Sequence, residues 1–190
     1  MKSRYKRKCW GSSEKWLVLA IFASLSTLVG CGPPPPPEVA DGDSAPTFEA
    51  TGIDGRKINF PASTEGNPSV VLMWATWCPY CKVLMPRLSD IRSDYADRGV
   101  EVIAINAKER GRGDPVAYIR DGGWDFLTIV DDGDQIAEFY DVNYLPGLFV
   151  VDGLGTVVYR RKWTELSAGQ EIADLWEIQV RNSLDEIFGG

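Results

Sequence analysis

Two cysteines two residues apart, Cys78 and Cys81, stand in the stretch Trp74-Ala75-Thr76-Trp77-Cys78-Pro79-Tyr80-Cys81-Lys82. The β-branched, apolar run Val70-Val71-Leu72-Met73 precedes them, and a helical pattern follows, with Leu84, Leu88, Ile91 and Tyr95 on one face. Cys78 is thus expected to cap a helix, with Cys81 one turn further along the same side. Unpaired N–H groups and the macrodipole at a helix start favour an anion, which biases the first thiol toward thiolate. The i, i+3 spacing also brings the two Cα atoms within disulfide range. Taken together, these features describe an exposed, acidified thiol at Cys78 with a resolving partner at Cys81, which is what thiol–disulfide exchange requires. Two blander readings are a permanent disulfide and half of a zinc site. The zinc reading needs two further ligands, yet the chain has no histidine, and its other cysteines, Cys9 and Cys31, lie far upstream.

The elements needed to hold such a pair follow from the local patterns. Phe48–Thr51 and Lys57–Phe60 flank the turn signal Asp54-Gly55 and read as a hairpin. Ser69–Trp74 reads as a buried central strand, and the Cys78 helix runs to about Arg98 before Gly99, with Pro86 removing one of its hydrogen bonds. Further along are a strand at Val100–Asn106, a helix at Pro115–Asp121, a strand at Phe126–Val130 and a helix at Asp134–Tyr140. The apolar run Leu148–Val151 and an edge strand at Thr156–Arg160 come next. Ser167-Ala168-Gly169-Gln170 is a capping-box pattern opening a last helix.

Trp-Cys-x-x-Cys after a strand, with Trp74 upstream and Pro86 five residues past the second cysteine, resembles the thioredoxin superfamily. Thr76-Trp77-Cys78-Pro79, the preceding hairpin and a long insertion narrow the resemblance to the exported, membrane-tethered TlpA and ResA branch, over roughly residues 45–190. The implied fold is α/β and thioredoxin-like: a central mixed β-sheet flanked by helices, with an N-terminal β-hairpin and an inserted strand–helix unit. The implied activity is that of a thiol–disulfide oxidoreductase whose only redox group is the Cys78–Cys81 disulfide, with no other cofactor and no metal. Trp77, Pro79 and Tyr80 would support the pair. Pro146, 68 residues after Cys78 and just before an apolar strand, matches the family's cis-proline facing the cysteines. The backbone of Leu145 would then bond an extended substrate segment. The expected partners are protein thiols or disulfides and, for a reductase, a membrane electron donor. The resemblance favours reduction, with apocytochrome or copper-site cysteines as substrates; oxidation or isomerisation is the alternative direction.

Two family carboxylates are absent: Leu72 and Leu84 occupy positions where relatives carry an acid thought to exchange a proton with the resolving thiol. Apolar groups there would raise the cost of a thiolate at Cys81. Pro79-Tyr80 is the dipeptide of glutaredoxins, whose domain is smaller. A copper-handling role for the two thiolates is a further alternative, although the family's copper proteins also use a histidine. A redox-inert binding protein of this fold fits the intact motif poorly.

Upstream, Lys2, Arg4, Lys6, Arg7, Lys8 and Lys15 precede the 14-residue apolar run Trp16–Val29, which has signal-peptide length. Leu28-Val29-Gly30-Cys31 resembles a bacterial lipobox, implying cleavage before Cys31 and its acylation; two or more chains anchor stably. The expected organisation is a lipoprotein signal peptide over 1–30, a lipid-anchored proline-rich linker over 31–44 and a thioredoxin-like domain over 45–190. The domain would then sit in the cell envelope, facing the periplasm or the exterior. Pro33–Pro37 favours a stiff rod of ~15 Å. Residues 1–30 carry six Lys/Arg and one acid, leaving 14 basic and 26 acidic residues over the remainder. That acidic balance argues against nucleic acid as a partner, whose phosphates would be repelled. With 44% hydrophobic and 11% aromatic residues the chain can build a true core without a disulfide scaffold.

Overall fold

The structure is a computed structural model and describes residues 39–111, 113–162 and 169–189. The expected signal segment, Cys31 and the proline rod lie outside these residues.

Period-two alternation along the strands sorts the core into two faces of one sheet. In β3 (Ser69–Trp74) every residue is buried, so both faces must be covered. Val70, Leu72 and Trp74 pack with α1 (Pro79–Asp94), Ile119 of α2 (Pro115–Gly122) and α4 (Gln170–Ile187). Val71 and Met73 point the other way, toward β1 (Phe48–Thr51), β2 (Lys57–Phe60) and α3 (Gly133–Phe139). The central sheet has the order β5-β4-β3-β6-β7, with β4 at Glu101–Asn106, β5 at Leu127–Ile129, β6 at Gly147–Val151 and β7 at Val157–Arg160. β3, β4 and β5 run parallel, whereas β6 and β7 are antiparallel to their neighbours, which makes the sheet mixed as the resemblance implied. Between α1 and β6 the chain makes two strand–helix units, β4–α2 and β5–α3, which account for the long separation of Cys78 from Pro146.

The hairpin forms its own two-stranded sheet, with Phe48 stacked on Phe60 at 5.1 Å. Its turn side reaches β5, where the Ile53 N–H donates to the Thr128 carbonyl at 2.9 Å. The fold begins earlier than expected. Residues 39–44, assigned above to the linker, lie along β7: the Gly42 N–H donates to the Val157 carbonyl and the Val157 N–H to the Asp43 carbonyl. Arg160 fastens the same stretch, its N–H donating to Asp41 and its guanidinium to the Val39 carbonyl. At the other end α4 starts at Gln170 with Gly169 as N-cap and no side-chain cap; the expected cap, Ser167, lies outside the described residues. The Cys78 helix ends earlier than Arg98. It stops at Asp94 and is followed by a separate 3-10 turn, Ala96–Arg98, closed by Gly99 at φ 73°.

Candidate functional site

Because β3 lies between β4 and β6, the loop leaving its C-terminal end emerges between the loop after β4 and the loop before β6. That exit is the cysteine motif. Cys78 is the N-cap of α1 in extended geometry, and Pro79 at the first helical position has no N–H to leave unpaired. The Cys78 sulfur accepts the Cys81 N–H at 3.2 Å, and the two cysteines form a disulfide with their Cα atoms 5.3 Å apart. The expectation of an exposed first thiol is corrected here: Cys78 is only 1% exposed and Cys81 fully buried. Both join the core that includes Leu84 and Trp176, against which half-buried Trp77, Tyr80 and Leu145 pack. Pro79 is the exposed member of the motif. Leu72 and Leu84 are completely buried, so the two positions that lack a carboxylate are dry.

The β4 side of the motif is held by a carboxylate that sequence patterns did not single out. Glu109 accepts the Thr76 N–H and the Thr76 hydroxyl, each at 2.8 Å, and the Asn106 amide at 3.1 Å. Burial pushes this carboxyl up, but the donors from Thr76, Asn106 and the Arg110 N–H outweigh it and leave it below the usual carboxylate range. Trp77 is tied to the same loop: its indole N–H donates to the Lys108 carbonyl at 2.9 Å, and the Arg110 guanidinium lies 3.9 Å above its ring. Lys108 adopts φ 56°, a left-handed conformation uncommon outside glycine, with its N–H bonded to Asp134. Gly113 completes the contact, since a Cβ there would fall 2.0 Å from the Thr76 hydroxyl.

The β6 side carries Tyr144, Leu145 and Pro146. Register pairs Met73 with Gly147, so Pro146 stands beside the end of β3 from which the cysteine loop departs. The Leu145–Pro146 peptide is cis. Among the described residues, the N–H and C=O of Leu145 take no hydrogen bond. Arg161, immediately after β7, donates through Nε to the Pro146 carbonyl at 2.7 Å. Its guanidinium lies 5.2 Å from the Tyr144 ring and 5.1 Å from that of Trp176, which in turn neighbours Tyr80 at 6.1 Å. No group of three or more Cys, His, Asp or Glu able to hold a metal occurs among the described residues. Nor is any described helix long and apolar enough to cross a membrane.

Glu109, Arg110 and Arg161 were missed because their partners are distant in sequence. Only the Asn106–Glu109 spacing and the charged, glycine-rich run Lys108–Gly113 could have drawn notice.

Comparison with known proteins agrees with this geometry. The chain is 32% identical over 120 residues to the thiol-disulfide oxidoreductase ResA of Bacillus anthracis, covering 62% of this chain and 66% of that protein. It is 31% identical over 124 residues to ResA of Bacillus thuringiensis subsp. konkukian, covering 64% and 69% of the two chains. A thiol:disulfide interchange protein of the thioredoxin family from Chlorobium tepidum TLS superposes with a TM-score of 0.60 at 23% identity, over 76% of this chain and 98% of that one. The fold is therefore thioredoxin-like. The family model of AhpC/TSA proteins matches residues 42–160, from the strap along β7 to the end of β7 itself, and the chain belongs to the AhpC/TSA family.

Proposed function

We propose that the protein is a thiol–disulfide oxidoreductase of the ResA type that reduces protein disulfides through Cys78 and Cys81. The observation that carries this reading is the Cys78–Cys81 disulfide at the N-terminus of α1, with the Cys78 sulfur accepting a backbone N–H. The same arrangement that receives that N–H favours a thiolate once the bond is reduced. The Cys78 thiolate attacks one sulfur of a substrate disulfide; a Cys78–substrate bond forms, the substrate bond breaks, and the other substrate sulfur leaves as a thiolate that takes up a proton. The Cys81 thiolate then attacks the Cys78 sulfur, breaking the mixed disulfide and releasing the second substrate thiol. Two electrons have passed to the substrate, and the protein is left as the disulfide seen in the structure. A membrane-bound dithiol donor must return two electrons for another turn.

Among the described residues the N–H and C=O of Leu145 beside the motif are unbonded, which suits an extended polypeptide lying along Pro146. Trp77, Pro79 and Tyr80 shape the rim. Acylation at Cys31 would tether the domain to an envelope membrane, with cysteines of apocytochromes or of copper sites as the substrate class. Cys81→Ser in the full-length protein should accumulate mixed disulfides with cellular proteins, and Cys78→Ser should accumulate none. The opposite pattern would reverse the two roles. Trapping the thiol state in cells by alkylation decides direction: a mostly oxidised pair at steady state contradicts a reductase. Radioactive palmitate should label the protein and fail to label Cys31→Ser.

A further inference from the structure

Arg161 is the only charged side chain among the described residues that is almost wholly removed from water, at 7% exposure. Among the described residues, no carboxylate pairs with it. Its described contacts are two backbone carbonyls, those of Pro146 and Lys162, and the faces of Tyr144 and Trp176. Taking a guanidinium out of water without an anion is costly, and an apolar side chain of similar volume would fill the space with less penalty. Stability alone is therefore a poor account of an arginine here. Its contacts have a direction. The Arg161 N–H bonds the Leu148 carbonyl at 2.8 Å, and the side chain then runs back two residues along β6 to the carbonyl of Pro146. One ring that it stacks on, Tyr144, is 43% exposed and lies two residues before Pro146. The other, Trp176, backs Tyr80 inside the cysteine motif. A planar, five-donor group can satisfy a carbonyl and two ring faces at once, which an ammonium cannot do.

We infer that Arg161 is a positioning residue for polypeptide docking: it fixes the Tyr144–Pro146 loop so that the backbone of Leu145 stays ready to bond an extended substrate segment. This rests on the thiol–disulfide reading above. It separates two kinds of substrate. An extended polypeptide disulfide uses the loop, whereas a disulfide too small to have a backbone reaches the sulfur without it.

The test compares insulin with hydroxyethyl disulfide, each in excess, as oxidants of the pre-reduced full-length protein in a single turnover. KM and kcat are read as the half-saturating concentration and limiting rate of that oxidation. Arg161→Met should raise KM for insulin about tenfold, the loss of roughly one hydrogen bond from a charged donor, with kcat nearly unchanged. Its rate with hydroxyethyl disulfide should match the wild type, which also serves as the control for an intact fold. Arg161→Lys should recover part of the loss, to within about threefold of the wild-type KM. An unchanged KM for insulin overturns the inference, as does an equal slowing on both substrates, which would place the effect on the thiols. If Arg161→Met does not fold, Tyr144→Ala removes one stacking face at the surface: a KM for insulin raised severalfold supports the inference, and an unchanged one overturns it. Failure of the wild type to react with hydroxyethyl disulfide at all would instead sink the redox reading itself.

Discussion

The cysteine motif is flanked by two loops, each gripped by one charged side chain of opposite sign, and they are built on different principles. On the β4 side the charge is an anion, Glu109, whose oxygens are met by donors from Thr76 and Asn106. On the β6 side the charge is a cation, Arg161, whose described contacts are carbonyls and aromatic faces. Glu109 grips the chain two residues before Cys78. Arg161 grips the loop that a substrate would meet. A satisfied anion makes a rigid clamp, since each donor lost leaves a partner unbonded. The guanidinium instead combines hydrogen bonds to carbonyls with contact to two ring faces, and so holds the Tyr144–Pro146 loop. The motif is thus held at Thr76 through a carboxylate and beside Pro146 through a guanidinium.

The largest expected effect comes from removing the anion. Glu109→Ala strips the Thr76 N–H and the Asn106 amide of their acceptor and should lower stability by about 2–3 kcal/mol, read from urea midpoints. Its pH dependence gives an independent check. Because the folded protein holds this carboxyl below its ordinary range, the group's contribution is present above the unfolded carboxylate pKa. It is lost as pH falls through the lower folded value. The gap between the wild type and Glu109→Gln should therefore close in acid. A gap that persists unchanged there would mean that charge plays no part in the clamp. Gly113→Ala comes next. Its methyl must displace Thr76, so a loss of about 1–2 kcal/mol is expected, together with faster alkylation of the reduced cysteines. Wild-type stability in this variant would show that the loop yields and is no rigid clamp. Arg110→Ala removes the guanidinium from Trp77 and should cost about 0.5–1 kcal/mol in thermal melts. Smallest of all is the coupling between the two sides. Glu109 and Arg161 share no described contact, so a double-mutant cycle of Glu109→Gln with Arg161→Met should be additive to within about 0.5 kcal/mol. Strong coupling would merge the two loops into one unit.

How much of this was legible without coordinates depended on range. Phe48–Thr51, Lys57–Phe60 and Ser69–Trp74 appear as read, because alternation, a continuous apolar run and Asp54-Gly55 are local signals. Cys78 as helix cap was equally local. Its burial was not, since Trp77, Tyr80 and Leu145 pack against a core assembled from the central sheet, α1, α2 and α4. Glu109 sits 33 residues from Thr76, and Arg161 sits 15 from Pro146. In sequence both look like ordinary surface charges, and only strand order brings them to the motif. The strap at residues 39–44 hid for a related reason: its small and acidic residues read as linker, while most of its bonds to β7 use its own backbone, which has no sequence signature.

That strap has a consequence for how the domain behaves in company. A sheet ordinarily ends in two rows of unpaired N–H and C=O groups, each a template for a strand from another molecule. Here the stretch upstream of the hairpin lies along β7 through Gly42 and Asp43, and the hairpin's own Gly52-Ile53 meets β5. Each outer strand of the central sheet is thus partly covered by the stretch from Gly42 to Ile53. A strand from another molecule must displace those bonds before it can extend the central sheet at either covered position.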